Sequence, residues 1–490
     1  MGQAHAYAAI DLGAESGRVV KGFLEDGKLT LEEINRFKNG LVPVNGHDHW
    51  NLIRLYESMI EAFKICAQSE VPIESIGVDS WGVDFALLAA DESLMGLPVG
   101  YRDKRTDGMM EKLFEKVSKE TIYEKTGIQF MKFNSIYQLF SLSQDKKPYL
   151  PLVKDFMMIP DYFHYLFTGQ KTNEYTNAST TQLLNVQTGG WDKELLDVIG
   201  VPKAMFKGLL QPGSVIGPIT QQLQEVTGLG PVPVVAPGTH DTASAVAAVP
   251  ADHDGGWAYI SSGTWSLMGI EADRPVSSQK AYDYNFTNEG GVFGTIRFLK
   301  NIMGLWLVQR CRAVFDTEID YTTLTQMAAD VPAFVSLIDP DRDEFLNPAS
   351  MTDAIDDFCQ KTGQPIPASE GAYVRCCLES LALQYRRVLG MLGDVYETSF
   401  DKIHIVGGGV QNKLLNQFTA DATGTKVITG PVEATIIGNL IVQAIGMGHI
   451  KDLAEGRRII RNSFELESYW PQQTDVWTRQ YERFMMLKES

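Results

Sequence analysis

Residues 9–19 read AIDLGAESGRV. Tyr7–Leu12 is an apolar run carrying an acid, Asp11, at its end; Gly13-Ala14-Glu15-Ser16-Gly17 supplies a turn, and Arg18–Leu24 returns as a second strand. Asp26-Gly27 then marks a tight hairpin into a third alternating run, Lys28–Arg36. Further out, Leu52, Leu55, Met59, Phe63 and Cys66 recur at steps of three and four, the spacing of one helix face. Two buried strands, Ile73–Asp79 and Phe85–Leu88, flank Asp79-Ser80-Trp81-Gly82 as a strand pair. Strands followed by helices and strands again predict an α/β sheet architecture.

The pattern returns 250 residues later, about half of the 490-residue chain. Asp252-His253-Asp254-Gly255-Gly256 is a turn-rich break, Trp257–Ser261 a strand, Ser262-Gly263-Thr264 a turn, and Trp265–Glu271 a returning strand. A helix over Ala372–Leu392 precedes strand Lys402–Val406 and the triplet Gly407-Gly408-Gly409. Asn412 stands where an N-cap belongs, with a helix to Thr423 and Gly424 as its stop. Strand Lys426–Thr429 and a mostly apolar helix at Ala434–Met447 follow. The echo predicts two similar lobes facing a common cleft, 1–248 and 249–490.

Composition narrows the function. With 43 Lys+Arg against 61 Asp+Glu the chain carries a formal charge of −18, and no basic cluster is longer than Arg457-Arg458, which argues against nucleic acid. Phosphates remain possible ligands, because backbone N–H groups and a metal ion can hold them. Five cysteines without a CxxC pair suit a reduced cytosolic protein, a Cys359–Cys376 bridge being the pairing left open. The N-terminus has neither a basic segment nor an apolar core, and Ala6 stands where a myristoylation motif at Gly2 needs Ser or Thr. No apolar run reaches the ~18 residues of a membrane span. A soluble, cytoplasmic protein, monomer or homodimer, is expected.

Several segments could carry chemistry. An acid at a strand end followed by glycines and a serine lets backbone N–H groups converge on an anion while Asp11 approaches a metal and Arg18 adds charge compensation; the same residues also suit a plain hairpin turn. Ser261-Ser262-Gly263-Thr264 is the same kind of element with hydroxyls in place of the acid. Gly407–Asn412 can lay backbone flat against a nucleotide or serve as an ordinary loop. No G-x-x-x-x-G-K-[ST] occurs, and Gly407–Asn412 fails G-x-G-x-x-G at its last position. In Gly238-Thr239-His240-Asp241-Thr242, Asp241 either takes a proton from an acceptor hydroxyl, as phosphoryl transfer requires, or caps a helix over Thr242–Val249. Trp81-Gly82-Val83-Asp84 offers an aromatic face, a close-approach glycine and an acid that suit a sugar, and equally reads as a core strand. Asn288-Glu289-Gly290-Gly291 and Lys300–Trp306 are similarly open, and Trp306, Leu307 and Gln309 read mostly as helix core.

Taken together and in order, these segments resemble the FGGY family of carbohydrate kinases. The matching stretches are AIDLGAESGRV (9–19), IGVDSWGVDFALL (76–88), GLPVGYRDKRTDG (96–108), PDYFHYLFTG (160–169), EYTNASTTQL (174–183), THDTASAV (239–246), YISSGTWSLMG (259–269), TNEGG (287–291), LKNIMGLWLVQR (299–310) and HIVGGGVQN (404–412). They span nearly the whole chain. The resemblance implies two actin-like, ribonuclease-H-like lobes around a central ATP and sugar cleft, with ATP as donor and Mg²⁺ as counterion. It implies Asp241 as general base and Asp11 as a metal contact through water. It puts ATP against Ala14, Glu15, Ser16, Gly17, Arg18, Thr264, Gln309, Gly408 and Gly409. The sugar falls to Trp81, Gly82, His240, Asp241, Thr242 and Asn301. The expected acceptor is the ketose L-rhamnulose; L-fuculose or D-xylulose is the alternative, and a non-catalytic actin-like ATP and sugar sensor the rival from another class. Glu15 departs from the small hydroxyl residue of many relatives, and a carboxylate there repels a triphosphate unless it points away or approaches Mg²⁺.

Overall fold

The computed structural model describes residues 4–252, 256–315 and 318–489. The centre of the predicted break at 252–256 lies outside them. The chain forms two compact units. One runs to Ala248 and takes in Glu271–Phe298 and Ala434–Ser463; the other comprises Val249–Ile270, Leu299–Glu433 and the chain from Phe464.

In the first unit a six-stranded sheet has the order Val215–Pro218, Pro233–Val235, Ser75–Ser80, His5–Leu12, Ser16–Glu25, Lys28–Lys38. His5–Leu12 pairs antiparallel with Ser16–Glu25 and parallel with Ser75–Ser80, which sets Asp11 opposite both Arg18 and Asp79. Ala8, Ile10 and Leu12 turn to one face and pack in a cluster with Leu55, Met59 and Phe63 of helix Leu52–Cys66, the helix read from its apolar spacing. Each of the fully buried Leu, Ile, Met and Phe side chains here contributes about 1.5–3 kcal/mol. Helix Ala434–Gly446 lies against the sheet at two glycines: a Cβ on Gly22 would come within 2.5 Å of Leu440, and one on Gly77 within 2.7 Å of Asn439. The expected strand pair around Asp79 is corrected. Phe85–Leu88 leaves this sheet and pairs antiparallel with Asp155–Met158, a partner some seventy residues on that short-range pattern does not reveal.

A second sheet has seven strands in the order Thr287–Gly290, Ile296–Met303, Trp265–Ala272, Trp257–Ser262, Lys402–Val406, Lys426–Thr429, Ser468–Tyr469. It repeats the central pairing of the first: Trp257–Ser262 runs antiparallel to its successor across a short turn and parallel to Lys402–Val406. The Asn412 side chain accepts from the Leu415 amide at 2.9 Å, and Gly424 ends helix Lys413–Thr423 with φ +66°. The long helix extends over Glu370–Tyr396, slightly beyond the expected 372–392. All five cysteines are buried and free, so Cys359 and Cys376 are not bridged. No helix among the described residues is long and apolar enough to cross a membrane.

Candidate active site

Asp11 stands at the end of its strand because the chain turns there: the Gly13 amide donates to the Ser16 carbonyl at 2.9 Å. Arg18, across the hairpin, donates Nε and Nη2 to Asp11 Oδ2 at 3.0 and 2.8 Å. In the parallel register Asp79 lies beside Asp11, with its side chain fully buried. Asn439 donates to Asp79 Oδ2 at 2.6 Å, while Asp79 Oδ1 is buried with no hydrogen-bond partner among the described residues. Burial pushes the Asp79 carboxyl well above the ordinary carboxylate range; Asp11 and Asp241 push it the same way against the bond from Asn439.

A second set of bonds fixes the segment carrying Asp241. Buried Glu174 accepts from the amides of Thr176, Asn177 and Thr239 and from the hydroxyls of Thr176 and Thr239. Ser80 N and Asn177 Nδ2 both donate to the Thr239 carbonyl, at 2.9 and 3.1 Å. The helix Asp241–Ala247 therefore starts at the edge of the sheet, and its tight packing against helix Ala434–Gly446 depends on small residues: a Cβ on Gly438 would lie 1.7 Å from the Ser244 carbonyl oxygen. His240 occupies the N-cap position without a side-chain cap bond, so Asp241 is the first helical residue and not the cap. Its side chain is 32% exposed. The surrounding burial raises its pKa, with His240 and the Thr242 hydroxyl (3.0 Å from Oδ1) opposing and Asp11 adding to the rise.

His240 is held from behind. Arg297 Nη2 donates to His240 Nδ1 at 2.9 Å, and Glu289 Oε2 lies 3.1 Å from Arg297 Nη2 and 3.3 Å from His240 Nδ1. With Nδ1 accepting, the ring proton sits on Nε2, which faces Asp241 Oδ1 at 3.5 Å.

Trp81 is buried and its ring centroid is 4.1 Å from that of Trp50. Both indoles donate to Asp84 Oδ2, as does the Tyr101 amide, while Gln138 donates to Oδ1. Burial raises the Asp84 carboxyl to about 6 against these bonds. Asp84 is thus a structural hub. Gly82 and Val83 are half-buried beside it, and Val83 has φ +66°, an unusual conformation for a β-branched residue, with its amide held by Thr180 Oγ1.

In the first turn Glu15 and Ser16 are exposed and Ala14 half-buried. Gly17 is a packing glycine: a Cβ would meet the Phe37 ring at 2.3 Å. In the second unit the amides of Leu305 and Trp306 donate to the carbonyls of Gly263 and Thr264, seating the turn on helix Trp306–Arg312. That brings Thr264 and Gln309 onto one small element; Gln309 Oε1 is buried without a hydrogen-bond partner among the described residues. Leu307 is core, whereas Trp306 and Gln309 are half-buried. Gly407 has φ +89°, a Cβ on Gly409 would sit 2.0 Å from Ser262 Oγ, and Gly408 has nothing within 4 Å. Asn301, half-buried on strand Ile296–Met303, belongs to this unit.

The chain matches the model of the N-terminal domain of FGGY carbohydrate kinases over residues 6–248 and that of the C-terminal domain over 258–447. The chain belongs to the FGGY family of carbohydrate kinases. It is a sugar phosphotransferase, which sets aside the sensor alternative. Similar curated proteins include rhamnulokinases of Bacteroides thetaiotaomicron, 47% identical over 98% of both chains, and of Pectobacterium atrosepticum, 46% identical over 98% of this chain and 96% of that one. Among solved structures, a xylulose kinase from Lactobacillus acidophilus superposes with a TM-score of 0.82 at 16% identity, covering 99% and 98% of the two chains. A gluconate kinase from the same organism gives 0.83, also at 16% and with the same coverage. These likenesses establish the FGGY fold, with its actin-like, ribonuclease-H-like lobes.

Against that family frame, the residues to which the sequence assigned no role are Asp79, Asn439, Glu174 and Arg297, while Glu289 belonged to a segment left open. Asp79 carried the same signal as Asp11, an acid ending an apolar strand. Asn439 had only its polarity in an apolar helix to mark it. The donor set fits a divalent cation: Asp79 has a buried orphan oxygen, Asp11 and Asp241 raise the proton affinity of Asp79, and Asp11 raises that of Asp241, a repulsion that a cation relieves.

Proposed function

We propose that this FGGY kinase transfers the γ-phosphoryl group of ATP to the 1-hydroxyl of L-rhamnulose. Two domains, 1–248 and 249–490, divide the work: the first supplies the base and most sugar contacts, the second the adenosine side. The observation that carries the base assignment is the Asp241 carboxyl, partly open to solvent, raised in pKa and fixed by Glu174 through Thr239. Asp241 accepts the proton of the 1-hydroxyl as that oxygen attacks the γ-phosphorus in line; the phosphorus–oxygen bond to ADP breaks as the new one forms. His240, with its proton on Nε2, and Thr242 orient the sugar beside Asp241, and Trp81, Gly82 and Asn301 line the remainder of its site. Ala14–Arg18 and Thr264 take the phosphates, and Gln309, Gly408 and Gly409 the nucleoside. Asp11, through water, and Asp79 would hold Mg²⁺, which would neutralise the phosphoryl oxygens. The relatives named rhamnulokinase support the choice of acceptor, and a cytoplasmic setting supplies both ATP and Mg²⁺.

The acceptor is tested by ADP release from L-rhamnulose, L-fuculose and D-xylulose measured in parallel. We expect the highest kcat/KM with L-rhamnulose, by roughly 10–200-fold if one methyl or stereocentre decides. Preference for another ketose would replace the acceptor, and no sugar-dependent ADP release would overturn the mechanism.

A further inference from the structure

Three residues far apart in sequence meet at the end of the first unit's sheet where strand His5–Leu12 begins. His5 Nδ1 lies 2.9 Å from Glu74 Oε1, and His449 Nε2 lies 3.4 Å from Glu74 Oε2. The two imidazoles stack with centroids 3.8 Å apart at 20°, and one donor atom from each of the three residues falls within 4.8 Å of the others. The outer ring nitrogen of His449, Nδ1, is 2.7 Å from the hydroxyl of buried Tyr7. The three side chains are between 20% and 29% exposed, shielded but reachable from solvent.

Two imidazoles and one carboxylate are a donor set for a borderline-soft divalent ion, Zn²⁺ foremost, and are poorly matched to Mg²⁺, which prefers oxygen. Tetrahedral bonds of about 2.0–2.1 Å place neighbouring donors about 3.3 Å apart. The gaps from His5 Nδ1 to Glu74 Oε1 (2.9 Å) and from His449 Nε2 to Glu74 Oε2 (3.4 Å) bracket that value, so each histidine already stands at donor spacing from the carboxylate, and the stacked rings need only tilt apart for both lone pairs to meet one ion. Tyr7 supplies the outer-shell partner that holds a ligating histidine in orientation. We propose that His5, Glu74 and His449 form a Zn²⁺ site with water in the fourth position. Asp11 is six residues along the same strand, roughly 20 Å away at ~3.3 Å per residue, so the site is separate from the carboxylates of the kinase reaction. Its ligands join the sheet to the turn after helix Ala434–Gly446, the helix that sets Asn439 on Asp79. Occupancy therefore ties together the first unit.

The test is Zn²⁺ titration of the untagged, chelator-stripped full chain by calorimetry with Mg²⁺ saturating, alongside Co²⁺ absorption as a report on ligand type and melting temperature with and without Zn²⁺. The expected result is one Zn²⁺ per chain, a tetrahedral Co²⁺ spectrum, a higher melting temperature with Zn²⁺, and at least tenfold weaker binding in His449→Ala. His5→Gln, which keeps a polar side chain at a half-buried position, gives the same weakening if His449→Ala fails to fold. No Zn²⁺ binding by the native chain, or undiminished affinity in the folded variants, overturns the proposal.

Discussion

Asn439 donates its side-chain amide to Asp79 Oδ2 at 2.6 Å across 360 residues of sequence, joining helix Ala434–Gly446 to the strand beside Asp11. The other oxygen of Asp79 is buried without a hydrogen-bond partner among the described residues. Asp79→Asn keeps the acceptor for Asn439 and removes a buried like charge, so its stability should equal or exceed that of the native chain. Asp79→Ala strands the Asn439 amide and should cost about 1–3 kcal/mol. Denaturant unfolding of both variants checks this; an equal loss in both would show that the charge itself is needed.

Asp241→Asn should lower kcat by roughly 10²–10⁴ and leave nucleotide affinity nearly unchanged. Because the carboxyl is raised and works as its anion, kcat/KM should rise with pH through a limb above the ordinary carboxylate value of about 4. In Asp11→Asn the residual activity should show that limb displaced to lower pH, since Asp11 adds to the rise. A pH–rate profile of the native enzyme flat down to pH 4 would remove Asp241 as the base.

Arg297 is fully buried and fixes the His240 tautomer through Nη2. Arg297→Lys offers no planar fork to serve Gly290 O, His240 and Glu289 together. A fall in kcat/KM of about 10–10² is expected from misplacement of His240, read from steady-state kinetics with the sugar varied. An unchanged KM and kcat would deny the positioning role.

The glycine triplet separates packing from binding. Gly409→Ala should destabilise the second unit by about 1–3 kcal/mol, because its Cβ would collide with Ser262 Oγ. Gly408→Ala meets nothing and should melt like the native chain while raising the KM for ATP. Calorimetry and ATP-dependent kinetics on the pair decide the matter.

Asp84 is raised to about 6, so between roughly pH 4 and 6 the folded chain holds a proton that the unfolded chain has released. This group's contribution to stability therefore falls as pH rises through that window. Asp84→Asn should flatten the slope, and should cost about 1–3 kcal/mol because its amide turns a donor toward Gln138 or the indoles. Unfolding free energies measured at pH 4, 5 and 6 test both statements.

What was legible in the sequence was local. The hairpins at Asp11–Arg18 and Ser262–Trp265, the helix from Leu52, the Asn412 cap and the Gly424 stop follow from turn chemistry and periodicity, whose physics acts within a few residues. The sheet partner of Phe85–Leu88 and the membership of Ala434–Gly446 in the first unit were not legible, because an apolar strand or helix face does not state which apolar surface covers it. Whether Asp84 faced a sugar or the core was open in the sequence, and its four donors decide for the core.

By itself the sequence determined two α/β halves built on the same strand–turn–strand unit, a formal charge of −18, and, through its ordered motifs, a sugar kinase with Asp241 as the acid to watch. Only the tertiary structure decided the company each residue keeps: Asp79 beside Asp11 under Asn439, Arg297 behind His240, and His449 against His5 and Glu74. Hydrogen bonds and charge interactions depend on distances of a few ångströms, and residues hundreds of positions apart reach those distances only when the sheet and its covering helices close together.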